Sequence, residues 1–151
     1  MIEKFLYLDN INVGDTFESS NDYELTEDEI IRFAKQYDPQ IFHTDSVGAE
    51  DTFFQGLASS GWLTASASMR LTVETLPVKD GLIGASVDMK WPSASRIGDR
   101  LKIKITITNV TPSRSKPNQG IVSYETVTTN QFGEVRQILN ANILCFRKSV
   151  N

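Results

Sequence analysis

The loop after the first predicted helix contains the two residues of the chain best suited to proton transfer. Asp38 precedes a proline, and His43, the one histidine, follows five positions later. Histidine and carboxylate side chains exchange protons near neutral pH, and proline restricts the backbone that carries them. The spacing therefore indicates a general acid–base pair. The alternative is that His43 and Asp45 only cap the turn that follows.

Other common catalytic patterns do not occur. The sequence has no phosphate loop of the Gly-x-x-x-x-Gly-Lys type, no Gly-x-Gly-x-x-Gly and no Gly-x-Ser-x-Gly. Cys145 lies in an apolar strand pattern, so we expect a core residue rather than a nucleophile. A single cysteine and a single histidine cannot build the usual zinc sites, and no metal is expected.

Length and composition describe an ordinary globular chain. It has 151 residues, 40% hydrophobic and 23% charged, which is typical of one domain spanning residues 1–151. The sequence contains no run of eighteen apolar residues, the length needed to cross a membrane. Its N-terminus lacks the basic and apolar regions of a signal peptide. We therefore expect a cytoplasmic protein.

The charges are unevenly distributed along the chain. Residues 1–75 contain 14 acidic and 4 basic residues, whereas residues 76–151 contain 5 acidic and 11 basic ones. The basic half indicates either solvated strand faces or a surface for an anion. Nucleic acid is not an expected partner, because the chain is acidic overall, with a net charge of -4.

Two helices are predicted in the first half. Thr26 and Glu29 form a capping-box pattern before a short amphipathic helix, which Pro39 ends. Residues 57–73 are rich in alanine and serine and carry no charge before Arg70. A helix without charge on any face is normally buried, so we expect a central helix in which Trp62 and Met69 are packing residues.

The second half predicts long strands. Residues 101–108 alternate apolar and polar side chains, and residues 82–91, 121–129 and 135–147 are further strands, the last two joined by a turn at 130–133. Residues 16–23 add an N-terminal strand. Early helices followed by antiparallel strands indicate an α+β fold, with one long sheet curled around a buried helix.

Several segments together resemble the MaoC-like dehydratases, relatives of the (R)-specific enoyl-CoA hydratases. These segments are residues 37–45, 54–62, 91–92, 98–101, 113–117 and 120–122. The resemblance implies a single hot-dog domain, in which a long antiparallel sheet wraps a central helix. It further implies a homodimer and an acyl thioester of coenzyme A or an acyl carrier as substrate, with no cofactor.

The resemblance also assigns roles to individual residues. Asp38 and His43 match the catalytic pair, although this chain reads Asp-Pro-Gln-Ile-Phe-His where the established hydratases usually read Asp-x-Asn-Pro-x-His. Gly56 matches the glycine whose N–H polarises the thioester carbonyl at the entry to the central helix, and Ser60 is grouped with it as substrate-binding. Apart from the resemblance, the basic second half of the chain offers Arg114 and Lys116, with Arg96 or Arg100 as further candidates, to the phosphates of the carrier.

The activity implied is reversible hydration of 2-enoyl thioesters to (R)-3-hydroxyacyl thioesters. Two alternatives remain: a hot-dog thioesterase, and a catalytically inactive module that only binds acyl thioesters. Many thioesterases of this fold place an acid on the central helix, and this helix has none before Glu74. Retention of Asp38 and His43 favours an enzyme over the silent module.

Overall fold

The computed structural model describes residues 4–149, in which the first long element is helix α1, Glu27–Tyr37. The Thr26 hydroxyl accepts a hydrogen bond from the N–H of Glu29, so the predicted N-cap is confirmed. The helix ends immediately before the Asp38-Pro39 pair, because proline disfavours helical backbone in the residue before it. One helical turn follows as α2, Ile41–Thr44.

The described residues form an antiparallel sheet with its long strands late in the chain. The strands are β1 Thr16–Glu18, β2 Tyr23–Glu24, β3 Ile83–Lys90, β4 Arg100–Pro112, β5 Gln119–Thr129 and β6 Val135–Phe146. Their order is β1-β4-β5-β6-β3, and β2 also pairs with β4. The predicted α+β class and the four long strands are confirmed, while the predicted strand at 16–23 is two short strands.

Strand β4 shows how the sequence pattern forms the core. Its apolar residues Leu101, Ile103, Ile105 and Ile107 are buried, and the residues between them point away from the core. The turn between β5 and β6 is also as predicted: the N–H of Gly133 donates to the carbonyl of Asn130, and Gly133 has a φ of 76° that favours glycine.

Helix α3, Gly61–Thr75, packs one face against the sheet. The residues on that face are Leu63, Thr64, Ala67, Ser68, Leu71 and Thr72. The prediction that the helix starts at residue 57 is wrong, because Ala58 and Ser59 donate their N–H groups to Phe42 and Ser95 of neighbouring loops. No helix in residues 4–149 is long and apolar enough to span a membrane.

The opposite face of α3 and the strand at the sheet edge are uncovered. Trp62 and Met69 are exposed within one chain, so the prediction that they pack in its core is wrong. Val73 continues the same exposed apolar stripe along the helix. Strand β3 pairs with β6 on one side only, and Val87 near its centre is exposed. Apolar side chains on α3 and on the edge strand are therefore exposed to solvent in one chain.

Candidate active site

Asp38 and His43 lie side by side at the junction of α1 and α2. The N–H of Asp38 donates to the carbonyl of Ala34 at 2.8 Å, which places this side chain directly beyond the end of α1. The single helical turn of α2 then brings the chain back towards Asp38, so that His43 Nε2 lies 3.3 Å from Asp38 Oδ2. The two side chains are only 7% and 18% exposed, respectively. The structure thus brings the two predicted residues together.

The imidazole of His43 is held in one orientation. Its Nδ1 lies 2.6 Å from the carbonyl oxygen of Ala58, which can only accept a hydrogen bond, so Nδ1 carries a proton. The rings of Phe42 and Phe54 pack around the imidazole, with centroids 4.6 Å and 6.1 Å away. Nε2, on the side of Asp38, is therefore the atom that can take up and release a proton.

Two hydrogen bonds stabilise the ionised form of Asp38. Oδ1 accepts from Gln40 Nε2 at 2.6 Å, and Oδ2 accepts from Ser60 Oγ at 2.7 Å. Burial on its own would raise the pKa of this carboxyl, but the hydrogen bonds from Gln40 and Ser60 outweigh it and hold the pKa below its ordinary value. Asp38 is accordingly a carboxylate at neutral pH.

Ser60 connects this carboxylate to the start of α3. Its hydroxyl donates to Asp38 and accepts from the N–H of Trp62, which makes it the N-cap of the helix. The residue is fully buried. The expectation that Ser60 binds substrate is therefore corrected: its hydroxyl is occupied by Asp38 and the helix, and Ser60 is a positioning residue.

Replacement of Ser60 by alanine is expected to shift the pH profile of activity. Ser60→Ala removes a donor that favours the carboxylate, so the pKa of Asp38 should rise and the acid limb of kcat/KM should move to higher pH. The measurement is kcat/KM against pH, with Ser66→Ala on the exposed side of the same helix as control. An acid limb unchanged in Ser60→Ala would contradict this role.

A pocket of about 300 Å³ opens beside His43. Its lining consists of aromatic rings and small polar side chains, with one arginine: His43, Phe53, Phe54, Ser59, Gly61, Thr64, Trp91, Ser93, Ala94, Ser95 and Arg136. Thr64 donates to Ser95 across the pocket wall at 2.9 Å. In the part of the chain described, no three His, Cys, Asp or Glu side chains are grouped to hold a metal ion.

Gly61 places an unpaired N–H group in this pocket. It is the first residue of α3, and its N–H has no hydrogen-bond partner within residues 4–149. Helix N-termini favour negative charge, so the group is suited to an oxyanion. A Cβ atom here would lie 2.6 Å from Cε2 of Trp91, so any other residue at this position would have to displace the Trp91 ring. Sequence reasoning missed this residue.

Gly56 does not have the role expected of it. It lies five residues before α3, and its N–H already donates to the carbonyl of Ala49 at 3.0 Å. Its φ of 143° shows that glycine is needed there for the backbone of a turn. The expected oxyanion donor at Gly56 is thus wrong, because the N–H is occupied and the helix begins later.

Arg96 and Arg100 are engaged within the chain rather than free for a phosphate. The guanidinium of Arg96 donates to the carbonyls of Phe54, Gly56 and Leu57, and so anchors the loop that carries Phe54. Arg100 Nε donates to the carboxylate of Asp22 at 2.9 Å. The contacts of Arg96 and Arg100 therefore do not support them as further candidates for the carrier phosphates.

A buried ion pair forms one wall of the pocket. Arg136 Nε donates to Asp99 Oδ2 at 2.8 Å, and Asn130 Nδ2 donates to Asp99 Oδ1 at 3.0 Å. The N–H of Arg96 also donates to Asp99. The side chains of Arg136 and Asp99 are only 8% and 6% exposed. The pair joins the loop before β4 to the start of β6 and fixes Arg136 at the pocket.

Loss of this carboxylate is expected to destabilise the fold strongly. Asp99→Ala should lower the free energy of unfolding by about 3–5 kcal/mol, because the buried Arg136 guanidinium loses its nearest carboxylate and keeps only the exposed Glu134, at 3.5 Å, as an ion-pair partner. Asp28→Ala is the control, since the Asp28–Arg32 pair is 83% and 72% exposed and should contribute at most about 1 kcal/mol. Urea unfolding measures both. Equal losses of unfolding free energy in the two variants would contradict this expectation. If Asp99→Ala does not fold, Asp99→Asn is measured in its place.

Arg114 and Lys116 lie away from the pocket of their own chain. They occupy the connection between β4 and β5, whereas the pocket lies near the first residues of β4. Strand β4 has 13 residues, so its ends are about 40 Å apart. The structure therefore does not bring these residues to Asp38 and His43 within one subunit.

Known proteins are similar to this chain in both sequence and architecture. Residues 9–130 match the family model described as the MaoC like domain. The chain belongs to the MaoC-like family. A MaoC-like dehydratase from Rhodospirillum rubrum superposes with a TM-score of 0.93 at 41% identity, covering 96% of this chain and 99% of that one. The family is thus shown by most of the chain.

Two further proteins resemble this chain, one in sequence and one in fold. An uncharacterised Bacillus subtilis protein, YdeM, is 30% identical over 127 residues, which are 82% of this chain and 87% of YdeM. The R-hydratase PhaJ1 from Pseudomonas aeruginosa is 20% identical with a TM-score of 0.74, covering 95% of this chain and 88% of that one. The predicted hot-dog fold is therefore confirmed, and the MaoC-like resemblance with it.

Proposed function

We propose that this MaoC-like protein catalyses the reversible hydration of 2-enoyl thioesters to (R)-3-hydroxyacyl thioesters. One observation carries the proposal: the 3.3 Å approach of His43 Nε2 to an ionised Asp38, beside a pocket that contains the unpaired N–H of Gly61. A base and an oxyanion donor at one pocket are the two parts that this reaction needs. We expect the reaction to take place in the cytoplasm.

Hydration begins with one water molecule held by the pair. The water donates its hydrogen atoms to Asp38 and to His43 Nε2, which leaves an oxygen lone pair free to attack C3 of the enoyl group. The C2–C3 π electrons move towards the thioester carbonyl as the new C3–O bond forms. The proton taken from water is then returned to C2. Dehydration follows the same steps in reverse, so the pair acts as both acid and base.

The carbonyl oxygen becomes negatively charged as water adds. The N–H of Gly61, at the positive end of α3, is the donor that would meet this charge. Removal of such a donor in other enzymes costs about 2.7–4 kcal/mol of transition-state stabilisation. The reaction needs no cofactor, since the thioester itself accepts the electrons and coenzyme A or an acyl carrier enters only as part of the substrate.

Crotonyl-CoA distinguishes this function from its alternatives. A hydratase depletes the enoyl absorbance without releasing thiol, a thioesterase releases thiol, and a silent binding module does neither. We expect loss of enoyl absorbance, a 3-hydroxybutyryl product of R configuration and no thiol. Release of thiol or unchanged absorbance would contradict the proposal. Shorter and longer enoyl thioesters in the same assay define the acyl preference.

The second subunit of a homodimer is the expected cover for the open sheet edge. Strand β3 has one unpaired edge, and the exposed apolar side chains of Trp62, Met69 and Val73 lie on the neighbouring helix. Pairing of β3 with β3 of a second copy extends the sheet and buries these side chains. Light scattering should give at least twice the chain mass of 16.9 kDa.

A charge at this edge should dissociate the dimer. Val87→Glu places like charges near the two-fold axis, and it should shift the mass towards that of one chain. Val13→Glu is the control, because Val13 is exposed to a similar extent but lies outside β3. A monomeric wild-type protein, or an unchanged mass for Val87→Glu, would contradict the proposed interface.

A further inference from the structure

The mouth and the inner wall of the pocket beside His43 differ in chemistry. Phe53 and Trp91 are exposed and lie at the mouth. The buried lining residues of the described chain form the inner wall, and all of them are polar: His43, Ser59, Thr64, Ser95 and Arg136. Pockets for small molecules are mostly lined by apolar side chains, whereas an alkyl tail would meet none on this wall. The inner wall therefore indicates a ligand with a hydrogen-bonding group of its own.

Ser95 provides a hydrogen-bond donor without an acceptor on this wall. Its oxygen accepts from Thr64 Oγ1 at 2.9 Å, and no residue within 4–149 accepts the hydroxyl proton of Ser95. The residue is only 3% exposed, and a buried donor without an acceptor is costly. A ligand oxygen in the pocket can supply the acceptor.

Ser95 lies beside the same backbone as the reacting pair. Its carbonyl accepts from the N–H of Ser59 at 2.9 Å, while His43 Nδ1 is bonded to the carbonyl of Ala58. Because Ala58 and Ser59 are consecutive, His43 and Ser95 flank one short segment. An acyl group whose C3 faces His43 Nε2 therefore has Ser95 within reach of the next carbons of its chain.

The charge on the inner wall is already balanced. Arg136 donates to both carboxylate oxygens of Asp99, at 2.8 Å and 3.3 Å, and its Nη1 lies 3.5 Å from the carboxylate of Glu134. Two carboxylates thus face one guanidinium, so a third carboxylate on the ligand would meet no net positive charge. The wall suits a neutral hydroxyl group rather than an anion.

Polar side chains also fill the space between α3 and the sheet. Ser68 Oγ lies 2.8 Å from Thr128 Oγ1. Gln137, which pairs with Thr128 in the sheet, is fully buried, and its Nε2 has no partner in the described part of the chain. A long alkyl tail inserted here would separate buried polar groups from their partners. The site therefore favours a short acyl group.

We propose that the acyl group of the substrate is short and carries a neutral hydroxyl, which accepts a hydrogen bond from Ser95 on the inner wall of the pocket. This deepens the proposed function and rests on it. The substrate hydroxyl supplies the acceptor that Ser95 lacks, while Thr64 holds the Ser95 oxygen in place. An alkyl group of the same size leaves the donor unpaired and binds less well.

Thioesters that differ in one group test the substrate class. On C4, 4-hydroxybut-2-enoyl-CoA, pent-2-enoyl-CoA and glutaconyl-CoA carry a hydroxyl, a methyl and a carboxylate. On C5, 5-hydroxypent-2-enoyl-CoA is compared with hex-2-enoyl-CoA. At one of these positions kcat/KM should be about tenfold to a hundredfold higher for hydroxyl than for methyl, and the carboxylate should be the poorest substrate. No hydroxyl preference at either position, or a preference for the carboxylate, would overturn the proposal.

Removal of the wall hydroxyls tests the assignment to Ser95. Ser95→Ala should lower the hydroxyl-to-methyl ratio of kcat/KM by about tenfold, and Thr64→Val/Ser95→Ala should lower it further. The intrinsic reactivity of the thioesters and the amount of folded enzyme cancel when this ratio is compared between wild type and variant. Thr72→Val is the control, because it removes a buried hydroxyl of α3 that donates to the carbonyl of Ser68 outside the pocket. A ratio unchanged in Ser95→Ala, or lowered equally in Thr72→Val, would overturn the assignment.

Binding separates this proposal from the proposed function. Calorimetry on Asp38→Asn, which should bind without turnover, should show tighter binding of the hydroxyl thioester than of its methyl counterpart. The difference should disappear in Asp38→Asn/Ser95→Ala. A wild-type protein that binds the hydroxyl thioester more tightly yet hydrates none of the thioesters would contradict the hydratase alone. Equal binding of the two would overturn the hydroxyl site, whatever the activity.

Discussion

Asp38→Asn is expected to lower turnover of crotonyl-CoA by roughly 10²–10⁴, the usual contribution of a general acid–base group. Asparagine keeps the shape of the side chain and can still contact Ser60, but it cannot take a proton from water. Steady-state kcat measures the loss, and thermal unfolding checks that the variant folds. Near-normal turnover in a folded Asp38→Asn protein would contradict the mechanism and favour a binding module.

His43→Gln should cause a loss of similar size, because it removes Nε2 as a proton acceptor. The double variant should be little worse than either single one, since two groups that activate the same water act as a unit. Losses that multiply in the double variant would indicate that Asp38 and His43 act on separate steps.

Asp45→Asn is a matched control for the carboxylate change. Asp45 lies in the same loop, and its Oδ1 accepts from the N–H groups of Val47 and Gly48 at 3.0 Å each. An asparagine oxygen can accept the same two bonds, so turnover should stay within about twofold of wild type, as for most surface changes. A loss as large as that of Asp38→Asn would assign the effect to the loop rather than to the carboxylate.

Gly61→Ala is expected to cause the second large loss, roughly 10²–10³ in kcat. The added Cβ would lie 2.6 Å from the ring of Trp91, so this ring, which lines the same pocket, must shift and change the space beside Gly61. A substrate carbonyl is then kept away from its donor. Gly61→Val should be at least as inactive, because its side chain is larger.

Stability separates the two explanations for this glycine. Alanine has a higher helix propensity than glycine, so the free energy of unfolding of Gly61→Ala should change little even if the Trp91 ring shifts. Chemical denaturation measures it beside kcat. Loss of stability in proportion to activity would show that Gly61 serves packing. Full activity with unchanged stability would show that its N–H takes no part in catalysis.

The sequence predicted the parts of this fold that depend on side-chain alternation. Strand β4 alternates isoleucine with lysine and threonine, and only one of its faces is buried. The pattern therefore determines which face of the strand lies against the core. The proximity of Asp38 and His43 was predicted equally well, since a helix end, a proline and a single helical turn are local features. The resemblance to the MaoC-like family added the hot-dog topology, which no local pattern contains.

The start of α3 shows why Gly61, the oxyanion donor that we propose, was not predicted. The chain between Gly56 and Gly61 contains no charge and no proline, and either glycine can precede a helix. The choice is made by tertiary contacts, in which Ala58 and Ser59 bond to neighbouring loops and Ser60 caps the helix. These partners are distant in sequence, and no periodicity encodes them.

The same limit applies to residues judged by composition. Trp62 and Met69 were expected in the core because an uncharged helix is normally buried. Within one chain they are exposed. The lack of charge on the helix indicates burial, but it does not indicate whether the same chain or a second chain buries these side chains. The pairing of Asp99 with Arg136 was also missed, because 37 positions separate the two residues and isolated charges are usually on the surface.

The anchoring of the loop by Arg96 has a consequence for how this protein can evolve. Arg96 holds the loop through three carbonyl oxygens, of Phe54, Gly56 and Leu57, which every amino acid supplies. The backbone path is therefore insensitive to the side chain at position 54, while that side chain lines the pocket. Substitutions at Phe54 can reshape this pocket without displacing the backbone that forms it. A new substrate preference is accordingly accessible through one codon.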